Sequence, residues 1–287
     1  MSSRAPNWWE QKYVAGVTYQ LQSMGWLLKP FFNSSGKIDG KTVEWRIAGA
    51  GVAAQRSDVV ENRPVMNADR SLIPGTMLPY EANDWINTTD VTMMSEDEQQ
   101  VVQKTAAMAM GRKFDAVMMA TMDAAGPAIQ TIGNGTAAIQ LTDPMTAFSQ
   151  INAIGSGGYE FCMALPNCFM DQLELYKQFV NSQYIGDEFP LLKAAGSRVW
   201  KNCTFVPIPD QFFASAVPNS FDSYVWLKDA VGLAWNNDMT TRVDYVPEKK
   251  AWFAANDMAF GSAVLLPNAI RRIRMANNIP LTIPASS

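Results

Sequence analysis

The side chains of this 287-residue chain best suited to chemistry are three cysteines, three late aspartates, a glycine run and an arginine cluster. Cys162, Cys168 and Cys203 form no CxxC pair and no metal-ligand spacing. An odd count without a secretory leader reads as reduced intracellular thiols, and the two cysteines flanking Pro166 read as small buried hydrophobes. Asp222, Asp229 and Asp238 could serve carboxylate catalysis. Gly155-Ser156-Gly157-Gly158 lacks the Gly-Lys-Ser/Thr ending of a phosphate loop and the GxGxxG spacing of a dinucleotide site, so it reads as a linker. The chain has no histidine. That removes the commonest general acid–base group and metal ligand, and with them any Ser-His-Asp or Cys-His nucleophile. No catalytic, cofactor-binding or metal-ligating residue is assigned, no cofactor is expected, and the chain is read as not an enzyme. Arg271, Arg272 and Arg274 could touch nucleic acid but read more simply as a solvated strand or helix end.

Such side chains would need positioning by a frame, and the frame is distinctive. From Ser95 to about Ala124 the sequence predicts one long helix. Ser95 and Glu98 have the spacing of a capping box, and Glu96, Asp97 and Glu98 suit the positive end of the helix dipole. Val102, Ala106, Met110, Phe114, Met118 and Met122 recur every four residues as one apolar ridge. Lys104, Arg112 and Asp115 are expected away from that ridge. Ala107, Ala109, Gly111, Ala116 and Ala120 are small enough to let other segments approach. Gly126-Pro127 ends the helix.

Before it, Trp8, Trp9, Tyr13, Tyr19, Trp26, Leu27, Leu28, Phe31 and Phe32 crowd the first 32 residues. They predict either an arm packed on another subunit or a first helix folded onto its own core. Thr42 to Ala48 alternates as a half-buried strand. Residues 52–77 carry no sustained period, and Leu78 to Asp90 is again extended. Loops of that size are uncommon unless functional, and a projecting two-stranded loop reaching over a neighbour is expected. After the long helix come a helix at about 143–154, a strand at Tyr159–Leu165, a helix over Asn167–Val180 and a strand over residues 197–209. An apolar stretch runs from Ser223 to Trp235. Strands then follow at Arg242–Val246, Ala251–Leu266 and Arg271–Met275. Strands alternating with helices over 143–236 predict an α/β lobe.

Composition supports association with other copies. Hydrophobic residues make up 48% and charged residues only 17%, against about 25% in typical soluble domains. Nine tryptophans add to a surface suited to partners. A net charge of −4 with pI near 5.0 argues against a dedicated nucleic-acid reader. No apolar run approaches the roughly eighteen residues needed to cross a bilayer, so no membrane partner is expected.

The order of elements resembles the major capsid proteins of tailed phages, of the Hong Kong 97 type. The residues carrying the resemblance are Lys250-Ala251-Trp252, then Gly261-Ser262-Ala263-Val264-Leu265-Leu266-Pro267-Asn268-Ala269-Ile270-Arg271-Arg272-Ile273, with Asp229-Ala230-Val231-Gly232-Leu233-Ala234 resembling the end of an axial domain. In that family the closing segment returns to the peripheral domain. The resemblance implies an α/β (α+β) fold divided as follows: an N-terminal arm at 1–40, an extended loop at 41–80, a peripheral domain at 81–142 and 240–287 containing the spine helix at about 95–124, and an axial domain at 143–239. It implies self-assembly as hexamers and pentamers into an icosahedral head shell around double-stranded DNA. Separate scaffolding, portal or decoration proteins are possible partners under it, and contact with DNA would be non-specific. Assembly is expected in the host cytoplasm and residence in the virion. An encapsulin-like compartment shell and another virion part, a tail or decoration protein, are the alternatives.

Overall fold

The long helix lies where its ridge dictates. The computed structural model describes residues 23–53, 66, 68–87, 98–155, 159–176, 179, 198–213, 215–236 and 239–281. In chain order the elements are β1 (Asn33–Lys37), β2 (Thr42–Ala48), β3 (Arg70–Thr76), β4 (Leu78–Glu81), β5 (Asp84–Asn87), α1 (Glu98–Ala124), β6 (Gln130–Ile132), α2 (Thr142–Asn152), β7 (Phe161–Pro166), α3 (Asn167–Glu174), β8 (Arg198–Trp200), β9 (Cys203–Ile208), β10 (Ser220–Leu227), β11 (Val231–Trp235), β12 (Thr240–Val246), β13 (Ala251–Val264) and β14 (Ile270–Ala276). Helix α1 has 27 residues and so spans about 40 Å. A 3-10 turn at Gly126–Ala128 ends it, as the Gly-Pro pair predicts. The expected cap at Ser95 lies outside the described residues. All six ridge residues, Val102 to Met122, are buried, and α1 packs along β13.

The strands form two six-stranded sheets and a separate ribbon. In the first sheet the order is β1-β11-β13-β12, with β4 and β5 also paired to β13. Strand β13 is long enough to pair β12 and β5 over its first residues and β11 over its last. The second sheet has the order β6-β14-β10-β7-β9-β8. At its centre β7 reads Phe-Cys-Met-Ala-Leu-Pro and is buried throughout. A continuous apolar run of this kind marks a strand covered on both faces, and α2 contributes cover beside β10 and β14. Among the described residues strands β2 and β3 pair only with each other, Thr42 opposite Thr76 through Ala48 opposite Arg70. A two-stranded ribbon is thus present, but its second strand is β3, within the stretch expected to be irregular, while the extended run from Leu78 pairs β13.

Several expectations are corrected. Residues 197–209 hold two strands, β8 and β9, joined by a tight turn at Lys201 and Asn202, both with positive φ. The alternation of apolar residues runs on through that turn, so periodicity alone hides it. The stretch from Ser223 to Trp235 divides at the turn Lys228–Ala230, whose Lys228 and Asp229 are exposed: β10 enters the second sheet and β11 the first. Helix α3 ends at Glu174; residues 181–197 lie outside the described set. The closing strand β14 pairs β10 and β6 in the second sheet, and only β13 of the closing segment lies in the first. Strand pairing therefore crosses the expected boundary at residue 239 in both directions. Likewise Leu78, Pro79 and Tyr80, placed at the end of the extended loop, already pair β13.

Candidate functional site

The chain enters the described residues by crossing α1, and this crossing is the most closely fitted place in the molecule. Gly25 has φ +72° and Trp26 φ +61°. Two left-handed residues in succession turn the backbone against the helix. A Cβ at Gly25 would stand 2.1 Å from the Gly111 carbonyl carbon, and one at Gly111 would stand 2.6 Å from the Trp26 ring. Only glycine on both sides allows the two backbones to meet. The Trp26 N–H points at the Gly111 carbonyl at 3.4 Å, and Arg112 donates from Nη1 to the Ser23 carbonyl at 3.2 Å.

One helical turn further on, Asp115 accepts the N–H of Leu27 at Oδ2 and that of Leu28 at Oδ1, both at 3.2 Å. Its side chain has no exposed surface. Burial pushes its carboxyl up to about 6, the two backbone N–H groups only partly opposing the shift. Asp115 lies off the apolar ridge, as expected, but it is buried all the same. Met108, Gly111, Asp115 and Met119 form a second buried line on α1, and the incoming chain meets it at Gly111 and Asp115. A lone carboxylate among methionines and alanines is the signal that this line carries.

Beyond the crossing, the segment is held by both sheets. Leu28 and Phe32 are fully enclosed, and Phe32 stacks on Trp226 of β10 with ring centroids 5.4 Å apart. Trp226 donates its indole N–H to the Phe31 carbonyl at 3.0 Å. Lys29 lies 5.3 Å from the Trp26 ring centre and 5.1 Å from that of Trp235 on β11. Of the two readings of the aromatic terminus, residues 26–32 pack on their own core. Trp8, Trp9, Tyr13 and Tyr19 lie outside the described residues.

The ribbon is fastened by Trp45. Its indole sits between Gly75 of β3 and Gly232 of β11, where added Cβ atoms would stand 2.3 and 2.6 Å from the ring. Its N–H donates to Ser35 Oγ at 2.7 Å. Val43, Ile47 and Ile73 continue this apolar underside onto Met77, Ala234 and Leu265. Glu44, Arg46, Arg70 and Leu72 face outward and are exposed.

The residues singled out for chemistry do not converge. Asp222 of β10 takes both Nε and Nη2 of Arg274 at 2.6 Å, and Ser215 Oγ donates to it at 3.1 Å. Arg272 lies 3.6 Å away and also donates to the Tyr224 hydroxyl, which in turn donates to Asp123. Asp229 is exposed on a turn, and Asp238 lies outside the described residues. The arginines are thus not a solvated strand end: Arg271 is buried and donates to Gln150 Oε1 and to the carbonyls of Asn268 and Ile270. An open cleft of about 550 Å³ beside Asp123 and Asp222 is lined by charges already paired with each other. Burial pushes the Cys162 thiol up to about 12 and the Cys168 thiol to about 11, and raises that of Cys203 as well. These thiols are unreactive by the same physics that makes them good core residues. Gly155 is exposed with φ +108°, and the other glycines of its run lie outside the described residues. Among the described residues no group of acidic or cysteine side chains could hold a metal ion.

Comparison with known proteins gives a consistent picture. A family model described as phage capsid protein matches residues 5–165 and 170–277. The fold is similar to that in the capsid structure of the cyanophage P-SCSP1u, with a TM-score of 0.70 at 15% identity over 93% of each chain. It is similar to the capsid of Ralstonia phage GP4, with a TM-score of 0.72 at 8% identity over 96% of this chain and 97% of that one. A capsid chain of a native GTA particle gives 0.67 at 10% identity over 93% and 95%. No curated protein matches this chain.

Proposed function

Since this chain belongs to the phage capsid protein family, we propose that it builds the phage head as hexamers and pentamers closing into an icosahedral shell around double-stranded DNA. It is a major capsid protein with a Hong Kong 97-type fold, and its place is the virion. The observation that carries the reading is the family match, which spans nearly the whole chain. The structure adds a physical rationale. Among the described residues the ribbon β2–β3 pairs with neither sheet, which leaves it suited to contact a second copy. Open strand edges invite pairing with another chain. In a shell that hazard becomes the means of cohesion, because heterologous contacts close by symmetry and many modest contacts act together.

The division into arm (1–40), extended loop (41–80), peripheral domain (81–142 and 240–287) and axial domain (143–239) remains part of this proposal, with strands exchanged across the last boundary. The aromatic residues before Ser23 contact a neighbouring subunit. The role is structural rather than catalytic, with scaffolding, portal or decoration proteins as further partners and assembly in the host cytoplasm. Electron microscopy of the purified protein tests the reading. Closed shells or capsomers are expected; protein that stays monomeric at high concentration, with and without scaffolding protein, would reject it.

A further inference from the structure

The crossing of the incoming chain over α1 does more than fill the core. A fully buried carboxylate is costly unless it is hydrogen-bonded, and among the described residues Asp115 receives the N–H groups of Leu27 and Leu28. An apolar residue at this buried place on α1 would escape that cost. The two N–H groups are made convergent by the left-handed pair Gly25 and Trp26, which costs conformational energy of its own. A strained turn, a two-glycine contact and a buried charge thus act on the same four residues, and all three fix one thing: where the chain meets the helix.

We propose that Asp115 is the positioning residue of the N-terminal arm, setting through Leu27 and Leu28 the point and direction at which the arm joins the body, and so its reach toward a neighbouring copy of the chain. The proposal rests on the capsid reading, under which the arm contacts that neighbour.

This arrangement has a pH signature. The carboxyl is pushed up to about 6 while the arm is seated. With the arm lifted, Asp115 would meet water and return toward its ordinary value near 3.8. The seated form therefore binds a proton more tightly than the lifted form. The seat is firmer in acid, loosens as pH rises from about 4 to about 6, and is level above that. Among the described residues no other charge ranks beside burial and the two N–H groups in setting this carboxyl. Arg112 on its own helix reaches the Ser23 carbonyl, and Lys113 lies over Tyr80. Lys29 on the arm lies over two indoles. Asp257 on β13 accepts from Thr240, Asp84 on β5 from the Trp85 N–H, and Asp210, on the turn beside α1, from the Asn167 N–H.

Hydrogen exchange of the full-length unassembled protein, read on the peptide covering residues 24–32, tests this. In the wild type, protection corrected for intrinsic rates should rise about tenfold from pH 7 to pH 5. Asp115→Asn should lower protection of that peptide at least tenfold at pH 5 and flatten its pH profile, while peptides from β7 and β10 keep theirs. Particles assembled from Asp115→Asn should be malformed or fewer. Unchanged protection with an unchanged profile would overturn the proposal, and should the variant not fold, a flat wild-type profile alone would overturn it. Loosened exchange with normal particles would also overturn it, while leaving the capsid reading intact. A wild type that forms no particles would instead sink the capsid reading.

Discussion

Asp222 is the residue on which the charges beside the second sheet depend. It is 3% exposed and sits between Arg272 and Arg274, which are only slightly more open. Removing it takes both hydrogen bonds shown for Arg274 and the counter-charge beside Arg272, which keeps its bond to Tyr224. Asp222→Ala should destabilise the protein by roughly 3 kcal/mol, in line with breaking a buried pair, and a urea midpoint shift would measure it. A shift below about 1 kcal/mol would mean that water solvates both arginines in place. Sequence alone misassigned these residues for a reason of register. Arg272 and Arg274 alternate with Ile273 as a solvated edge strand would, but β14 lies inside a sheet, between β6 and β10. The partner that makes an inward arginine tolerable stands 50 residues upstream and is invisible to local pattern. The burial of Asp115 was not legible for a related reason: one apolar ridge could be read on α1, whereas Asp115 is covered by a segment far away in sequence.

The ribbon illustrates what an element owes to contacts outside itself. The alternation of Val43, Trp45 and Ile47 is enough to predict β2, and the apolar side it names is the side that packs. Strand β3 was not legible, because Pro74 and Gly75 break its pattern. The structure explains the glycine: Gly75 is small because the Trp45 ring occupies the space a side chain would need. Gly232 on β11 makes the same allowance from below. Gly232→Ala should therefore lift the indole, costing about 1–3 kcal/mol as overpacking does, and free the ribbon's base. Limited proteolysis within residues 41–76 should speed up well before the core is cut. Equal cleavage rates would show that Trp45 does not hold the ribbon down. Helix α1 was the most legible element, since its ridge, its small residues and its Gly-Pro stop all act locally. The split at Lys228–Ala230 was the least legible, because both flanking strands are apolar and only tertiary pairing separates them.

At the scale of the whole molecule, a chain with 17% charged residues leaves Leu72, Leu78, Trp85 and Tyr245 exposed. Such surface is tolerable when other copies cover it. Two truncations separate the arm's inner and outer parts. Deleting residues 2–22 leaves the seat on Asp115 intact, so subunits should fold and stay soluble but fail to close shells. Deleting residues 2–28 also removes Leu27 and Leu28 and uncovers a buried carboxylate, so thermal stability should fall as well. Normal shells from the shorter truncation would show that the residues before Ser23 are dispensable. The central claim is that this polypeptide exists to associate with copies of itself, and the mass of the purified native material by multi-angle light scattering tests it most directly. The account predicts particles of many subunits, or capsomers of five and six; a uniform species of a single 31.7 kDa chain at every concentration would contradict it.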